Sequence, residues 1–288
     1  MADADISRVV LITGCSSGIG EACARRLLAH GWRVYATARD VESLTSLREA
    51  GCRVLALDVT SDASMQAAVQ AITQEAGGIG ALVNNAGYSQ SGPIEAVSIE
   101  RIRRQFETNV FGLIRLTQLV LPGMRARRQG RIVNMGSMGG RLTFPAGGIY
   151  HATKHALEAI TDALRFEVSG FGLHVVLIQP GLIRTHFTRT VSTHLDALGQ
   201  TAGPYAHFTS EVDRITRESY ERGRLAPLVG SAEDVAAVVE EALSARSPRT
   251  RYRVAASAHL LLLFKRLVTD RMWDGFLART YPRPGARP

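Results

Sequence analysis

The sequence predicts an α/β fold, built as a doubly wound parallel sheet with helices packed on both faces. Short apolar strands alternate with helical segments over most of the chain, and a glycine-rich turn joins the first strand to the first helix. Hydrophobic residues make up 45% of the 288 positions and charged residues 21%. This composition supports a sizeable core and excludes disordered, collagen-like and repeat architectures.

The predicted strands are mostly continuous apolar runs, which is typical of a parallel sheet covered on both faces. Because parallel neighbours need a crossover long enough for a helix, the alternation of strands and helices predicts a Rossmann-type sheet. Six strands are predicted, at residues 8–12, 33–37, 53–57, 81–83, 131–134 and 174–179. Helices are predicted at residues 21–30, 41–50, 65–75, 100–128 (one long helix or two joined ones), 150–168 and 233–243.

Residues 1–245 are predicted to form one Rossmann-type domain that holds the functional site. Within it, residues 185–228 are expected to form an irregular insertion over that site, with short helices at 191–198 and 209–221. Residues 246–288 are predicted to form a basic C-terminal helical extension. Its helix is expected over residues 260–278, with apolar anchors at Leu260, Phe264, Leu267, Trp273 and Leu277.

The sequence also predicts the compartment. No apolar run approaches the roughly 18 residues that a membrane-spanning helix needs, and the first eight residues lack the pattern of a signal peptide. Three cysteines, Cys15, Cys23 and Cys52, are too few for a disulfide framework and are expected to be reduced. We therefore expect a cytoplasmic protein, with peripheral membrane contact left open by its charge.

The formal net charge is +8, and residues 246–288, with ten basic and two acidic residues, account for all of it. A helix packed on the domain or on a dimer partner, with its arginines in solvent, is the interpretation we favour. A membrane-surface helix is a second interpretation. Nucleic-acid binding is a third, and we predict no such partner. Only Lys154 and Lys265 among the 34 basic residues are lysines, so a lysine is informative in this chain.

The glycine-rich turn follows a strand and opens a helix, the context in which such a motif indicates a dinucleotide site. Glycine allows the tight turn and a close approach of the backbone to a pyrophosphate, which lies on the helix N-terminus. A simple strand–helix turn is the alternative. The predicted cofactor-binding residues of this turn are Gly14, Ser16, Ser17, Gly18, Ile19 and Gly20.

Arg39, at the end of the second strand, is suited to the 2′-phosphate of NADP because a guanidinium pairs bidentately with phosphate oxygens. The competing residue is Asp40, which would favour NAD but is more simply a helix cap. We therefore predict NADP(H). Asp58 is expected to hydrogen-bond the adenine, with a turn or cap as its alternative role. Further cofactor-binding residues are predicted at Val59, Asn85, Ala86 and Gly87, and no metal site is predicted.

Tyr150 and Lys154 are four residues apart on one predicted helix and so share a face. A free tyrosine has a pKa of about 10, and a nearby ammonium lowers it toward the range useful for proton exchange. Ser137, just after the fifth strand, is placed to hold a substrate oxygen. Asn109 is expected to hold a water molecule that links the lysine to solvent. Tyr150 and Lys154 are also expected to contact the cofactor.

Together these residues resemble the short-chain dehydrogenase/reductase family, over roughly residues 8–243. The resemblance rests on the glycine loop, on the Asn84–Gly87 segment, on the tetrad of Asn109, Ser137, Tyr150 and Lys154, and on a motif after the sixth strand. It implies interconversion of a ketone or aldehyde with an alcohol by hydride transfer, with Tyr150 as acid and base. It also implies cofactor contacts from Pro180, Gly181, Ile183 and Thr185.

By the same resemblance, Met138, Phe144, Phe187 and the 185–228 segment would flank the substrate. The pattern is most similar to hydroxysteroid and retinol dehydrogenases, which implies a small lipophilic substrate such as a steroid or retinoid. A ketoacyl or polyketide reductase is the second enzymatic hypothesis, and a non-catalytic NADPH-binding scaffold or sensor is the alternative from another class. The resemblance also implies a homodimer or homotetramer, formed through the helices at 100–128 and 150–168.

Overall fold

The computed structural model describes residues 8–185, 193, 203–222 and 226–285. The strands of the described residues are β1 Val9–Ile12, β2 Arg33–Ala38, β3 Arg53–Ala56, β4 Ala81–Asn84, β5 Gly130–Met135, β6 Leu173–Pro180, β7 Ile183–Arg184, β8 Gly230–Ser231 and β9 Arg251–Val254. Seven parallel strands form the main sheet in the order β3-β2-β1-β4-β5-β6-β9, and β7 and β8 form a separate parallel pair.

Helices cover both faces of the main sheet, as the apolar strands predict. The α-helices of the described residues are α1 Gly18–Ala29, α2 Thr45–Glu49, α3 Asp62–Ala76, α4 Ile99–Phe106, α5 Gly112–Arg127, α6 Gly148–Ser169, α7 Ala206–Glu221, α8 Ala232–Ser244, α9 Ala256–Leu267 and α10 Asp270–Thr280. In β1, Val10 and Ile12 pack on one face of the sheet with α1 and α8, while Leu11 packs on the other face with α3 and α5.

The six-strand prediction missed β9, which lies in the segment expected to be a helical extension. β9 continues the sheet beyond β6, with Leu177 opposite Arg251 and Pro180 opposite Val254. Its sequence, Arg-Tyr-Arg-Val, has too few apolar residues to be read as a buried strand. The predicted boundary at residue 245 therefore separates one strand of the sheet from the other six.

The single helix predicted at 260–278 is two helices, α9 and α10. Thr269 is the N-cap of α10, and its side chain accepts a hydrogen bond from the Met272 amide at 3.4 Å. Of the predicted anchors, Trp273 is buried, and Phe264 and Leu277 pack against the same cluster. Leu260 and Leu267 are instead 52% and 75% exposed. The buried face of α9 carries Leu261 and Leu262 in their place, so the assumed helical register was wrong.

Of the two alternatives predicted for residues 100–128, one long helix or two joined ones, the structure has the second. A π-helical turn, Glu107–Phe111, separates α4 from α5. Helix α1 starts at Gly18, three residues earlier than expected, so the end of the glycine loop is already helical. In the predicted insertion, α7 matches the helix expected at 209–221. The helix expected at 191–198 lies outside the described residues apart from Thr193, as does Phe187.

The cap predicted at Asp40 is present. Asp40 accepts a hydrogen bond from the Glu42 amide at 3.0 Å, at the start of a 3₁₀ turn rather than of the α-helix. Ser231 and Asp234 form a reciprocal capping box at the start of α8. Among the described helices, none is long and apolar enough to cross a membrane.

Candidate active site

A cleft of about 1100 Å³ opens at the carboxyl ends of the strands of the main sheet. The loops that follow β1 to β6 all contribute to its lining, which is where ligands bind in open α/β sheets. Every residue predicted to bind the cofactor lines this cleft except Gly20, and so do Ser137, Tyr150 and Lys154. Gly20 lies beneath the glycine loop, and Asn109 lies behind the cleft wall.

The glycine loop has room for hydrogen atoms only. Gly14 has a φ of +71°, and a Cβ added there would lie 2.9 Å from Ala86 Cα. Gly18 has a φ of +62°, and its Cβ would lie 3.3 Å from Thr185 Cβ. A Cβ on Gly20 would lie only 2.2 Å from the Gly14 carbonyl oxygen. At Gly14 and Gly20 the loop therefore packs backbone against backbone, as expected of a loop that admits a pyrophosphate.

Helix α1 starts directly behind this loop. Its N-cap is Ser17, whose side chain makes no capping hydrogen bond within the described part of the chain. The first-turn amides of a helix lack partners inside the helix and favour an anion. With Ser16, Ser17 and Gly18 lining the cleft, this end of α1 fits a dinucleotide pyrophosphate.

Asn85 braces the loop as well as lining the cleft. Its Nδ2 donates to the carbonyl oxygens of Thr13 and Gly14, at 2.9 and 3.0 Å. In return, Thr13 Oγ1 accepts from the backbone amides of Asn85 and Ala86. The side-chain amide is thus committed to the protein, so any cofactor contact from Asn85 must come from its backbone or its carbonyl oxygen.

The two carboxylates considered for the adenosine, Asp40 and Asp58, already have partners, and of the two only Asp58 lines the cleft. Asp40 caps the turn after β2, and Asp58 Oδ1 accepts from the Thr60 amide and hydroxyl at 2.9 and 2.8 Å. Arg39 is exposed and lines the cleft. The charges of Arg39 and Arg104 both act on the Tyr88 phenol, which brings two guanidinium groups to this end. Guanidinium groups therefore lie near this end of the cleft together with the Asp58 carboxylate.

Ser137, Tyr150 and Lys154 meet at the centre of the cleft. The Ser137 hydroxyl is hydrogen-bonded to the Tyr150 phenol and also accepts from the Gly139 amide at 3.0 Å. Lys154 is buried and donates from Nζ to the Met135 carbonyl oxygen at 2.7 Å. Its Nζ lies 5.7 Å from the centre of the Tyr150 ring. The helical spacing of Tyr150 and Lys154 thus places phenol and ammonium side by side.

Burial shifts both titrating groups toward their neutral forms. It raises the pKa of Tyr150 to about 12, and the hydrogen bond from Ser137 only partly opposes this. It lowers the pKa of Lys154 to about 8. The tyrosine therefore keeps its proton in the protein alone, and a positive charge arriving in the cleft would lower the pKa of this phenol.

Asn109 is in the π-helical turn and is buried. Its Oδ1 accepts from the Tyr88 amide, and its Nδ2 donates to the Tyr88 carbonyl oxygen and to Thr153 Oγ1. Thr153 in turn donates to the Tyr150 carbonyl oxygen at 2.7 Å. The side chain of Asn109 therefore ties the loop after β4 to the helix that carries Tyr150. Its side-chain amide is used by protein partners, so the water molecule predicted at Asn109 would have to be held by another group of this residue.

Two residues that the sequence analysis missed adjoin Tyr150. His151 Nδ1 lies 3.0 Å from the Gly139 carbonyl oxygen, and its ring centre is 5.5 Å from that of Tyr150. Burial lowers the pKa of His151 to about 4. Tyr220, from α7, lines the cleft, and burial together with the charge of Tyr150 raises its pKa. His151 could have been predicted near the site because it follows Tyr150 directly in the sequence. No local sequence pattern predicts Tyr220.

The part of the cleft expected to hold the substrate is lined by both apolar and polar side chains. Met138 and Phe144 line it, as predicted, and α7 adds Val212, Ile215, Thr216, Ser219 and Tyr220. The C-terminal helices also reach it, through Leu261, Phe276, Thr280 and Tyr281. The extension thus forms part of the wall of the cleft, a role that its charge did not indicate.

The segment after β6 closes the remaining side of the cleft. Pro180, Gly181, Ile183 and Thr185 line it, and the Gly181 amide donates to the Val254 carbonyl oxygen at 2.9 Å. A Cβ on Gly181 would lie 2.4 Å from Ser257 Oγ. The missed strand β9 and the start of α9 therefore hold this segment in place.

Comparisons with known proteins agree with this geometry. A family model described as short chain dehydrogenase matches residues 8–196. The NADPH-dependent 3-dehydrocapnine reductase of Ornithobacterium rhinotracheale is 35% identical over 276 residues, covering 93% of this chain and 95% of that protein. Retinol dehydrogenase 16 of Rattus norvegicus is 35% identical over 292 residues, covering 96% and 90%. The 3-ketodihydrosphingosine reductase of Bacteroides thetaiotaomicron is 40% identical over 181 residues, covering 63% and 66%.

Solved structures are similar over most of the chain. A short-chain dehydrogenase/reductase from Burkholderia phymatum in complex with NAD has a TM-score of 0.76 at 28% identity, covering 100% of this chain and 99% of that one. A closed serine dehydrogenase complexed with NADP+ has a TM-score of 0.73 at 29% identity, covering 86% and 94%. Both nicotinamide cofactors therefore occur among proteins of this fold.

Proposed function

Because the chain belongs to the short-chain dehydrogenase family and is thus an oxidoreductase that uses a nicotinamide cofactor, we propose that it interconverts a lipophilic ketone or aldehyde and its alcohol with NADP(H). The observation that carries the proposal is the meeting of Ser137, Tyr150 and Lys154 in a cleft whose other end fits a dinucleotide.

In this proposal Tyr150 is the acid and base. For reduction, its phenol donates a proton to the substrate oxygen as that oxygen becomes an alkoxide, and Ser137 holds the same oxygen by a hydrogen bond. The bound cofactor supplies the hydride for reduction and accepts it for oxidation. The Lys154 ammonium stabilises the phenolate left behind and favours its formation in the reverse direction.

Asn109 is a positioning residue in this scheme. Its hydrogen bonds to Tyr88 and Thr153 fix helix α6 against the loop after β4, and Thr153 holds the Tyr150 carbonyl oxygen. The water molecule expected to link Lys154 to solvent would then be held by the backbone of the π-helical turn, where fewer carbonyl groups accept hydrogen bonds within the helix.

The preference for NADP(H) rests on Arg39. Its guanidinium is exposed at the cleft, with Arg104 nearby, while Asp40 and Asp58 are engaged in local turns. A ribose 2′-phosphate would therefore meet positive charge. The two carboxylates that could accept from a 2′-hydroxyl each use one oxygen, Oδ1, in a local turn.

The lipophilic substrate rests on the lining of the cleft by Met138, Phe144, Ile215, Leu261 and Phe276. The similarity to a retinol dehydrogenase and to a 3-ketodihydrosphingosine reductase points the same way, since retinol and a long-chain ketone are both apolar. We also propose a homodimer or homotetramer through α4 to α6, because Phe111 and Phe166 on these helices are 50% and 85% exposed.

The test is turnover by the purified protein with NADPH or NADH on a panel of steroids, retinoids, long-chain 3-ketones and ketoacyl thioesters. We expect turnover of an apolar ketone or aldehyde, with kcat/KM higher for NADPH, and none in Tyr150→Phe. Turnover of ketoacyl thioesters alone would assign a ketoacyl reductase. Binding of NADPH without turnover of any carbonyl would favour a scaffold or sensor.

A further inference from the structure

Helix α9 has two apolar faces, and only one of them is covered. Ser257, Ala258, Leu261 and Leu262 are buried against the body of the protein. Leu260, Leu263 and Leu267 are 52%, 53% and 75% exposed. At the angular spacing of an α-helix these three leucines lie within about 60° of one another, on the side opposite the core.

This outer face of α9, defined by Leu260, Leu263 and Leu267, has basic neighbours. His259 and Arg266 are exposed beside it, and Arg271 follows at the start of α10. Lys265 is held away from it, because its Nζ pairs with Asp270 at 2.7 Å and lies 5.5 Å from the Trp273 ring centre. The charge that faces solvent here is therefore carried by arginine.

Helices α9 and α10 also line the substrate end of the cleft. Leu261, one residue from Leu260, and Phe276 and Thr280 of α10 contribute to its wall. A molecule held against the outer face of α9 is thus separated from the cleft by the thickness of one helix, about 10 Å.

We propose that the outer face of α9 docks on an anionic lipid surface. Leucines that project from one side of a helix insert among acyl chains, and adjacent arginines contact anionic headgroups. A second copy of this chain fits less well. A two-fold contact would oppose Arg266 and Arg271 to their own copies, and three leucines offer much less than the roughly 800 Å² per partner of a stable interface.

Delivery of a membrane-dissolved substrate to the cleft would follow from this docking and rests on the proposed function. The docking itself does not, and its test requires no turnover. The full-length protein is mixed with vesicles of neutral phosphatidylcholine, or of phosphatidylcholine with 30% phosphatidylglycerol, and bound protein is measured after flotation. We expect at least tenfold more binding to the anionic vesicles at low salt, and a decrease as salt is raised.

The informative variant is Leu263→Ser with Leu267→Ser, which removes apolar groups that are 53% and 75% exposed. The matched control is Ile94→Ser with Phe171→Ser, whose side chains are 67% and 39% exposed and lie outside α4, α5 and α6. We expect the first pair to reduce vesicle binding at least tenfold and the control to leave it unchanged. Arg266→Glu with Arg271→Glu should abolish the preference for anionic vesicles.

Equal binding by the wild-type protein to both kinds of vesicle, or undiminished binding by the leucine variant, would overturn the proposal. So would loss of self-association in the leucine variant by sedimentation velocity with vesicle binding intact, since a second copy would then cover this face. If vesicles bind but no carbonyl is turned over, the proposed function fails alone. If detergent-dispersed substrate is reduced but vesicles do not bind, the docking fails alone.

Discussion

Gly20→Ala tests the packing of the glycine loop. A Cβ at this position would lie 2.2 Å from the Gly14 carbonyl oxygen and 2.6 Å from Asn85 Nδ2. Neither atom moves easily, because Asn85 Nδ2 is hydrogen-bonded to the Thr13 and Gly14 carbonyl oxygens. Relief to an ordinary contact of about 3.4 Å requires the loop and α1 to separate by roughly 1.2 Å.

A displacement of this size has two expected consequences. Overpacking typically lowers the free energy of unfolding by about 1–3 kcal/mol, which for a chain of this size lowers Tm by roughly 2–5 °C. Misplacement of the loop by about 1 Å weakens its fit to the cofactor, and we expect the Kd for NADPH to rise by about 10- to 100-fold.

The assay is titration of NADPH followed by fluorescence, together with thermal unfolding. The control is Gly170→Ala, where an added Cβ meets no described atom within 4 Å and the backbone is already right-handed. An unchanged Kd and Tm in Gly20→Ala would refute the argument, because the loop would then tolerate a side chain that the geometry excludes.

Four further predictions concern the cleft. Tyr150→Phe should lower kcat for carbonyl reduction by at least about 10²-fold, the typical contribution of a positioned acid, while the Kd for NADPH measured by calorimetry changes little. Lys154→Arg should also lose most of its kcat, because a guanidinium neither fits the site of the 2.7 Å bond to Met135 nor releases its proton; activity near the wild-type level would contradict this. Arg39→Ala should raise KM for NADPH at least tenfold more than KM for NADH, and equal effects in steady-state kinetics would remove the basis for NADP preference. Burial lowers the pKa of His151 from 6.5 to about 4, so the unfolded chain binds this proton at a higher pH than the folded protein does. The free energy of unfolding should therefore fall as pH drops from about 6.5 to about 4. Urea unfolding of His151→Asn, which keeps a donor for the Gly139 carbonyl oxygen, should show a weaker fall over that range.

The parts of the fold that depend on local pattern were predictable. Strands such as β1 are apolar on both faces because helices cover both sides of the sheet, so Val10 and Leu11 are equally buried. β9 was missed because it is an edge strand in which Arg251 pairs with Glu158 and Asp162 of α6. Its stabilising contacts are ionic and distant in sequence, and no local hydrophobic period records them.

The part of the candidate site that depends on local spacing was also predictable from the sequence. The spacing of Tyr150 and Lys154 specifies a shared helical face, and the structure brings both side chains together with Ser137. The role of Asn109 was not visible, because it depends on Tyr88 and Thr153, which are 21 and 44 residues away in sequence. Tyr220 and Tyr281 reach the cleft only through the tertiary packing of α7 and α10, so no spacing rule identifies them.

The rarity of lysine in this chain gains a physical reason at residue 154. An exposed cation is interchangeable between lysine and arginine, and arginine occupies all but two of the 34 basic positions. Lys154 is buried with its ammonium on one carbonyl oxygen, and its pKa falls to about 8. A group that titrates near neutrality exchanges its proton readily, whereas arginine stays charged at any physiological pH. In the proposed function this position therefore favours a buried cation that can also exchange its proton beside Tyr150, which lysine supplies and arginine does not. Lys265 has no such requirement, since its exposed partner Asp270 would accept a guanidinium equally well.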